Sequence, residues 1–237
     1  MKKQIIISTL ILTSGILSAQ TSKGNFMLGG NIGHNFNETT NQDTSMARRR
    51  SQTANSSFAG SVSGGYFIKD NIAVGIVLGY SSNSSTFENE GITGNQPYTG
   101  KDSYHSNMIS AGAFFRQYKM LGQSRFGLFY QVSGTYGVGD WNQTQKSQSG
   151  NNVVELNYSG KSSQLALNLN PGITYFVTNR IGLEATLGYI GYSSQSGNNN
   201  RSTGFQSDTK TRQLNANFSL SSLSLGVRVY LGKKKEV

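Results

Sequence analysis

Tyr66-Phe-Ile-Lys-Asp-Asn-Ile-Ala-Val-Gly-Ile-Val-Leu-Gly-Tyr80 returns in the second half of the chain as Tyr175-Phe-Val-Thr-Asn-Arg-Ile-Gly-Leu-Glu-Ala-Thr-Leu-Gly-Tyr189. Each copy is an aromatic pair, a short polar turn, and a run that alternates apolar with small or polar residues. Side chains of a strand point to opposite faces with a period of two, so this is the pattern of a β-hairpin half-buried on one side. Its recurrence predicts an antiparallel up-and-down barrel.

Working outward from these two hairpins, eight alternating stretches can be marked, at 25–36, 57–68, 71–82, 104–118, 125–139, 162–177, 180–193 and 213–231. The connections between them are unequal. Lys69-Asp70-Asn71, the segment 119–124 and Thr178-Asn179-Arg180 are short, whereas 37–56, 83–103, 140–161 and 194–212 are long and polar. The segment 140–161 has room for an extra short hairpin beyond the bilayer, which leaves eight or ten strands. Short turns at one end and long loops at the other are the layout of a bacterial outer-membrane barrel, with the turns periplasmic.

Alternation alone does not tell inside from outside, and a soluble lipocalin-like barrel alternates too. Composition decides between them. Charged residues make up 14% of the chain, against about 25% in ordinary soluble domains. One face of the strands is aliphatic with aromatic ends: Ile72, Val74, Ile76, Leu78 and Tyr80 in one stretch, Ile181, Leu183, Ala185, Leu187 and Tyr189 in another. The opposite face is Gly, Ser, Asn and Thr with isolated charges. A water-facing exterior so poor in Lys and Glu would associate; a lipid-facing apolar band around a small polar lumen fits directly. In the last stretch Leu214, Ala216 and Phe218 are even-numbered while Leu223, Leu225 and Val227 are odd. A β-bulge near Ser221 would reconcile the two, unless the upper part lies beyond the bilayer, where the pattern no longer matters.

The N-terminal residues 1–20 read as a secretory leader, with Lys2 and Lys3 ahead of an apolar run from Ile5 to Leu17 and a small-residue exit at Ser18-Ala19-Gln20. This leaves 21–237 as one barrel domain. The chain has no cysteine, so it carries neither disulfides nor a cysteine lipid anchor.

The leader, the Tyr-Phe-turn-Ile hairpins and the closing Leu223-Ser-Leu-Gly-Val-Arg-Val-Tyr-Leu231 strand resemble the small outer-membrane β-barrel domain family, the OmpX/OmpW-like "porin family" proteins of Gram-negative bacteria. The resemblance covers essentially the whole of 21–237 and is specific for fold and location, not for activity. It implies assembly by the barrel-insertion machinery, which favours a C-terminal aromatic; here Tyr230 is followed by Leu231-Gly-Lys-Lys-Lys-Glu-Val237, a departure from that pattern.

Burying a charge without a partner is costly, so charges inside a narrow barrel should be few and paired. By parity Arg116, Arg125, Glu184 and Arg228 point inward, which predicts an Arg–Glu network in the turn-side half of the lumen, extended by Gln131, Asn168 and Asn170. It either plugs and orders the lumen or lines the constriction of a small conduit. Arg48-Arg49-Arg50, in the first long loop, is a candidate contact for anions such as lipopolysaccharide phosphates, or simply a solvated charge run.

Catalytic and cofactor signals are weak. Ser103 and His105 share a strand face with Asp102 next to them, but nothing places an orienting acid behind the imidazole, so no catalytic residue is assigned. His34 reads as an interfacial ring. Two distant histidines without cysteine give no metal-ligand cluster, no phosphate-binding or dinucleotide glycine signature occurs, and no nucleic-acid reader motif accompanies the formal charge of +10. The reading is a monomeric, non-catalytic outer-membrane barrel in contact with membrane lipid, serving envelope integrity or surface contacts through its loops. The alternative is a narrow conduit for small or hydrophobic solutes, and a lipid-modifying enzyme comes third. No cofactor is expected.

Overall fold

The computed structural model describes residues 20–43, 49–93, 96–122, 124–201, 206–218 and 223–232. Apart from Gln20, the expected leader lies outside them. Ten strands account for nearly all of the rest: β1 (Phe26–Gln42), β2 (Arg50–Lys69), β3 (Ile72–Thr93), β4 (Gln96–Met120), β5 (Phe126–Ser149), β6 (Asn152–Phe176), β7 (Ile181–Leu187), β8 (Tyr189–Arg201), β9 (Gln206–Asn217) and β10 (Leu223–Leu231). All neighbours are antiparallel.

Eight of these strands close a ring in the order β1-β2-β3-β4-β5-β6-β7-β10, and β10 returns to β1 from Phe26↔Leu231 to Gly30↔Val227. The remaining pair, β8 and β9, continues the wall upward from β6. Above Gly30, β1 pairs only with β2, and β9 pairs only with β8, among the described residues. The ring is therefore sealed at the short-turn end and seamed at the other.

The stretches expected at 180–193 and 213–231 are each divided in two. Gly188 has φ +74°, a left-handed conformation that glycine adopts without the Cβ clash. It ends β7 and shifts the register on β6, so the alternation reverses. Ile190 and Tyr192 take the outer face, and Tyr189 falls on the inner side with Gly191 rather than with Leu187. The parity change of the last stretch lies between β9 and β10; Ser221, where a bulge was expected, is outside the described residues.

The long loops expected at 37–56, 83–103, 140–161 and 194–212 are for the most part not loops. β3 and β4 stay paired to Thr93↔Gln96, and β5 and β6 to Ser149↔Asn152, where Gly150 (φ +58°) makes the turn. These extensions carry Ser, Thr, Asn and Gln on both faces, so no apolar period marks them. Cross-strand polar pairs hold them instead: Ser85 donates to Asn55 at 2.7 Å, Thr144 to Asn157 at 2.8 Å, Gln52 to Glu38 at 2.6 Å, and Lys101 meets Glu88 at 2.7 Å.

The outer surface is apolar where the ring is closed and just above. Ile32, Ile76 and Ile109 are 78%, 62% and 66% exposed, an arrangement a water-soluble fold would not present over so wide a band. Aromatic pairs border it: Phe26–Tyr66 and Phe126–Tyr175 at the turn end, with ring centroids 5.0 and 4.7 Å apart, and Phe58–Tyr80 at 6.2 Å above. The buried core lies inside the ring, at the turn end. It consists of Met27, Phe67, Ala73, Phe114, Tyr118, Phe129, Phe176 and Tyr230. The two Tyr-Phe pairs of the repeated hairpin are thus divided by the wall: Tyr66 and Tyr175 face out, Phe67 and Phe176 fill the lumen.

Candidate functional site

The chain ahead of β1 folds across the turn end. Gln20 and Thr21 are buried there. The Thr21 hydroxyl donates to Asn71 Oδ1 at 2.6 Å, Gln20 Nε2 donates to Asn179 Oδ1 at 3.3 Å, and Lys23 N donates to Asp70 Oδ1 at 2.8 Å. The residues Lys69-Asp70-Asn71 and Thr178-Asn179-Arg180, which form the turns of the two repeated hairpins, are therefore also the anchoring points of this segment.

Above the aromatic floor sits a buried charge cluster. Arg116 (β4) meets Glu184 (β7) with Nη1–Oε1 2.6 Å, and Arg228 (β10) meets the other carboxylate oxygen with Nε–Oε2 2.8 Å. Arg116 Nη1 also donates to the Tyr118 hydroxyl at 3.0 Å, and its Nε to Gln131 Oε1 at 2.9 Å. Tyr230 donates to Glu184 Oε1 at 3.3 Å and lies 3.1 Å from the Tyr118 hydroxyl; Arg228 Nη1 donates to Ser63 Oγ at 3.0 Å. The Arg116 guanidinium lies over the Phe129 ring, 4.2 Å from its centroid, a favourable cation–π distance. Both lone-pair faces of the carboxylate are thus occupied by charged donors, the condition under which a buried charge is tolerated.

Of the four inward charges expected to meet, three do. Arg125 does not: it precedes β5 at the rim, where its Nη1 donates to the Val177 carbonyl at 3.1 Å. Inward parity fixes the face but not the height, and Arg125 is below the level of the carboxylate. Gln131 joins the cluster. Asn170 instead donates to the Gly188 carbonyl at 3.4 Å, and Asn168 is the partner of Gly191 on β8. Tyr118 and Tyr230 were not singled out in sequence. Their signal was the same inward parity that marks Arg116 and Arg228, two residues away in each case.

A cavity of about 170 Å³ opens directly above the cluster, lined by Asn31, Ser63, Gln131, Asn170, Arg116 and Arg228 among others. Below the cluster the aromatic floor and the 20–25 segment close the lumen. The site is a blind cup.

Elsewhere the candidate groups are dispersed. Arg48 lies outside the described residues. Arg50 faces outward and leans on Glu90 at 3.8 Å, both half exposed, while Arg49 contributes its carbonyl to Asp43 N at 2.8 Å. The outer surface beside Arg50 mixes signs, with Glu88, Glu90, Lys101 and Lys146 around one depression. His105 lies 3.1 Å from Asn107 Nδ2, and Asp102, on the other face of β4, accepts from Gln143 Nε2 at 2.9 Å. Ser103, His105 and Asp102 are therefore not assembled. His34 lies 3.3 Å from Ser56 Oγ on the outer face, and no metal-ligand cluster occurs among the described residues.

An eight-stranded antiparallel ring with an apolar belt outside and a polar, charged interior defines a transmembrane β-barrel of the bacterial outer membrane. The profile of the outer membrane protein beta-barrel domain matches residues 7–232, and the chain belongs to that family. No curated protein sequence matches it. Among solved structures it is similar to the outer membrane protein OprG from Pseudomonas aeruginosa (12% identity, 91% of this chain and 99% of that one, TM-score 0.43). It is also similar to Neisserial surface protein A (15%, 87% and 99%, 0.32) and to Ail, the attachment invasion locus protein of Yersinia pestis (12%, 89% and 100%, 0.30).

Proposed function

We propose that this outer-membrane barrel is a non-catalytic surface protein whose lumen does not pass solutes and whose interactions are made by the long outer hairpins. One observation carries this reading. The turn end, periplasmic in barrels of this class, is closed twice, by the Arg116–Glu184–Arg228 cluster and by the aromatic layer from Phe67 to Tyr230 beneath it. An eight-stranded ring has an interior just wide enough for side chains to fill, and here they fill it at the turn end. The outer hairpins, in contrast, present paired strands carrying the ion pairs Lys101–Glu88 and Lys146–Glu155 well beyond the apolar belt, a surface suited to polar and charged partners.

Single-channel recording of the refolded protein in a planar bilayer tests this. Wild type is expected to be silent although inserted. Discrete, reproducible conductance steps in wild type, altered by Glu184→Ala, would overturn the reading and promote a conduit gated by the cluster.

A further inference from the structure

Two guanidinium groups and a single carboxylate meet at the floor of the cup, so the floor carries one positive charge in excess. No second carboxylate reaches it among the described residues. Asp102 shares the inner face of β4, but it stands fourteen residues from Arg116 along the strand, roughly 46 Å at ~3.3 Å per residue. It is also already held by Gln143 and Gln145. The other acids of the described wall, Glu38, Glu88, Glu90, Asp140, Glu155 and Asp208, lie on the outer face, Glu88, Glu90 and Glu155 with lysine or arginine partners.

Donors are in excess as well. Arg116 is engaged through Nε and Nη1, and Arg228 through Nε and Nη1; the Nη2 of each makes no hydrogen bond to a described residue. Both arginines line the cavity, with the Asn170 amide and the Ser63 hydroxyl beside them. The Ser63 hydroxyl is spent on the Gly29 carbonyl, so the available donors are the Nη2 groups of the two guanidiniums and the Asn170 amide, charged and neutral N–H donors of the kind that bind an oxyanion. The cavity's 170 Å³ and its polar lining suit a phosphate or a short carboxylate.

We infer that the blind lumen is a binding site for a small oxyanion, which enters from the outer end and is held by the unused Nη2 groups of Arg116 and Arg228. The anion neutralises the excess charge of the floor, and the closed periplasmic end retains it. Retention at the periplasmic end rests on the closed lumen of the functional reading above; binding itself requires only an intact cluster, and titration reads binding whether or not the lumen conducts.

Isothermal titration of the refolded full barrel in detergent micelles, in buffer without added chloride, tests this with inorganic phosphate and with acetate. Gln131→Glu places a carboxylate where Arg116 Nε is already engaged, and Ser224→Asp adds one from β10 at the cavity wall. Each supplies the missing negative charge without removing a partner of Glu184, and folding of each is read from heat-modifiable gel migration. Wild type should show saturable binding, weakened about tenfold or more in either folded variant. The stronger of the two titrants identifies the oxyanion as phosphate or carboxylate. Heat that persists unchanged in a folded variant belongs to the exterior cations and overturns the lumen site. So does a wild type with no saturable heat for either anion.

Discussion

Glu184 and Arg228 form their ion pair on a diagonal of the sheet, each standing directly opposite a glycine: Glu184 across from Gly226, and Arg228 across from Gly182. On its other side Arg228 faces a third glycine, Gly29 of β1. Three of the four cross-strand neighbours of the pair are thus glycines, which leaves room for the side chains to lie flat along the wall; the fourth is Thr174 of β6, opposite Glu184.

Gly29 and Gly226 should therefore respond differently to a methyl group. A Cβ at Gly29 would come within 2.8 Å of Arg228 Cγ, whereas one at Gly226 meets nothing closer than the Gly30 carbonyl at 3.9 Å. Gly29→Ala is expected to displace Arg228 and to cost about 1–3 kcal/mol, the usual penalty for overpacking. Gly226→Ala is expected to stay within about 0.5 kcal/mol of wild type. Urea unfolding of both variants in micelles measures the difference, and equal destabilisation would count against this packing.

Removing the carboxylate should be more damaging than removing the whole cluster. Glu184→Ala leaves two buried guanidinium groups facing each other and is expected to cost about 3–5 kcal/mol, while replacing Arg116, Glu184 and Arg228 together by leucine should cost much less. The same unfolding assay reads both, and a triple variant as unstable as the single would show that the charges themselves hold the floor together.

The break at Gly188 should be separable from the ring. Gly188→Ala forces a left-handed conformation on a residue with a Cβ, about 1–2 kcal/mol, and aims that Cβ at the Asn217 carbonyl. Hydrogen exchange should quicken in β8 and β9 while β10 and the lower half of β6 keep their protection. Uniform loss of protection would mean that the upper hairpin and the sealed ring unfold as one unit.

The two faces of β3 should differ in what they tolerate. Ile76 faces out and Val77 lines the cavity. Ile76→Arg places a charge in the lipid-facing belt and should cost about 2–4 kcal/mol of folding in vesicles if it lies near the bilayer midplane. Val77→Ser, on the polar inner face, should cost about 1 kcal/mol or less. A reversed order would turn the barrel inside out.

Much of the ring was legible because its period-2 alternation survives in β3, β6 and β10, where Leu78, Leu167 and Val227 oppose Gly79, Asn168 and Arg228. The extensions beyond the apolar belt were not, since a strand with Ser, Thr and Gln on both faces has no hydrophobic period to read. Asp140–Lys161 looked like a loop for that reason, although its residues pair almost to the tip. In the cluster, parity selected Arg116, Glu184 and Arg228 but also admitted Arg125, because alternation gives direction and not level. The aromatic floor escaped notice for a different reason. Phe67 and Phe176 sit beside outward tyrosines in the same dipeptides, and a pair of rings reads as one girdle until the wall separates them.

Among the described residues, the first and last strands of the ring meet from Phe26 to Gly30. The base is sealed around that height, and above it the two edges of the wall, β1 and β9, are each paired on one side alone. The cylinder therefore has a fixed hem and an unfastened collar. A widening or narrowing of the outer circumference along that seam would break no ladder bond between β1 and β10 at the base.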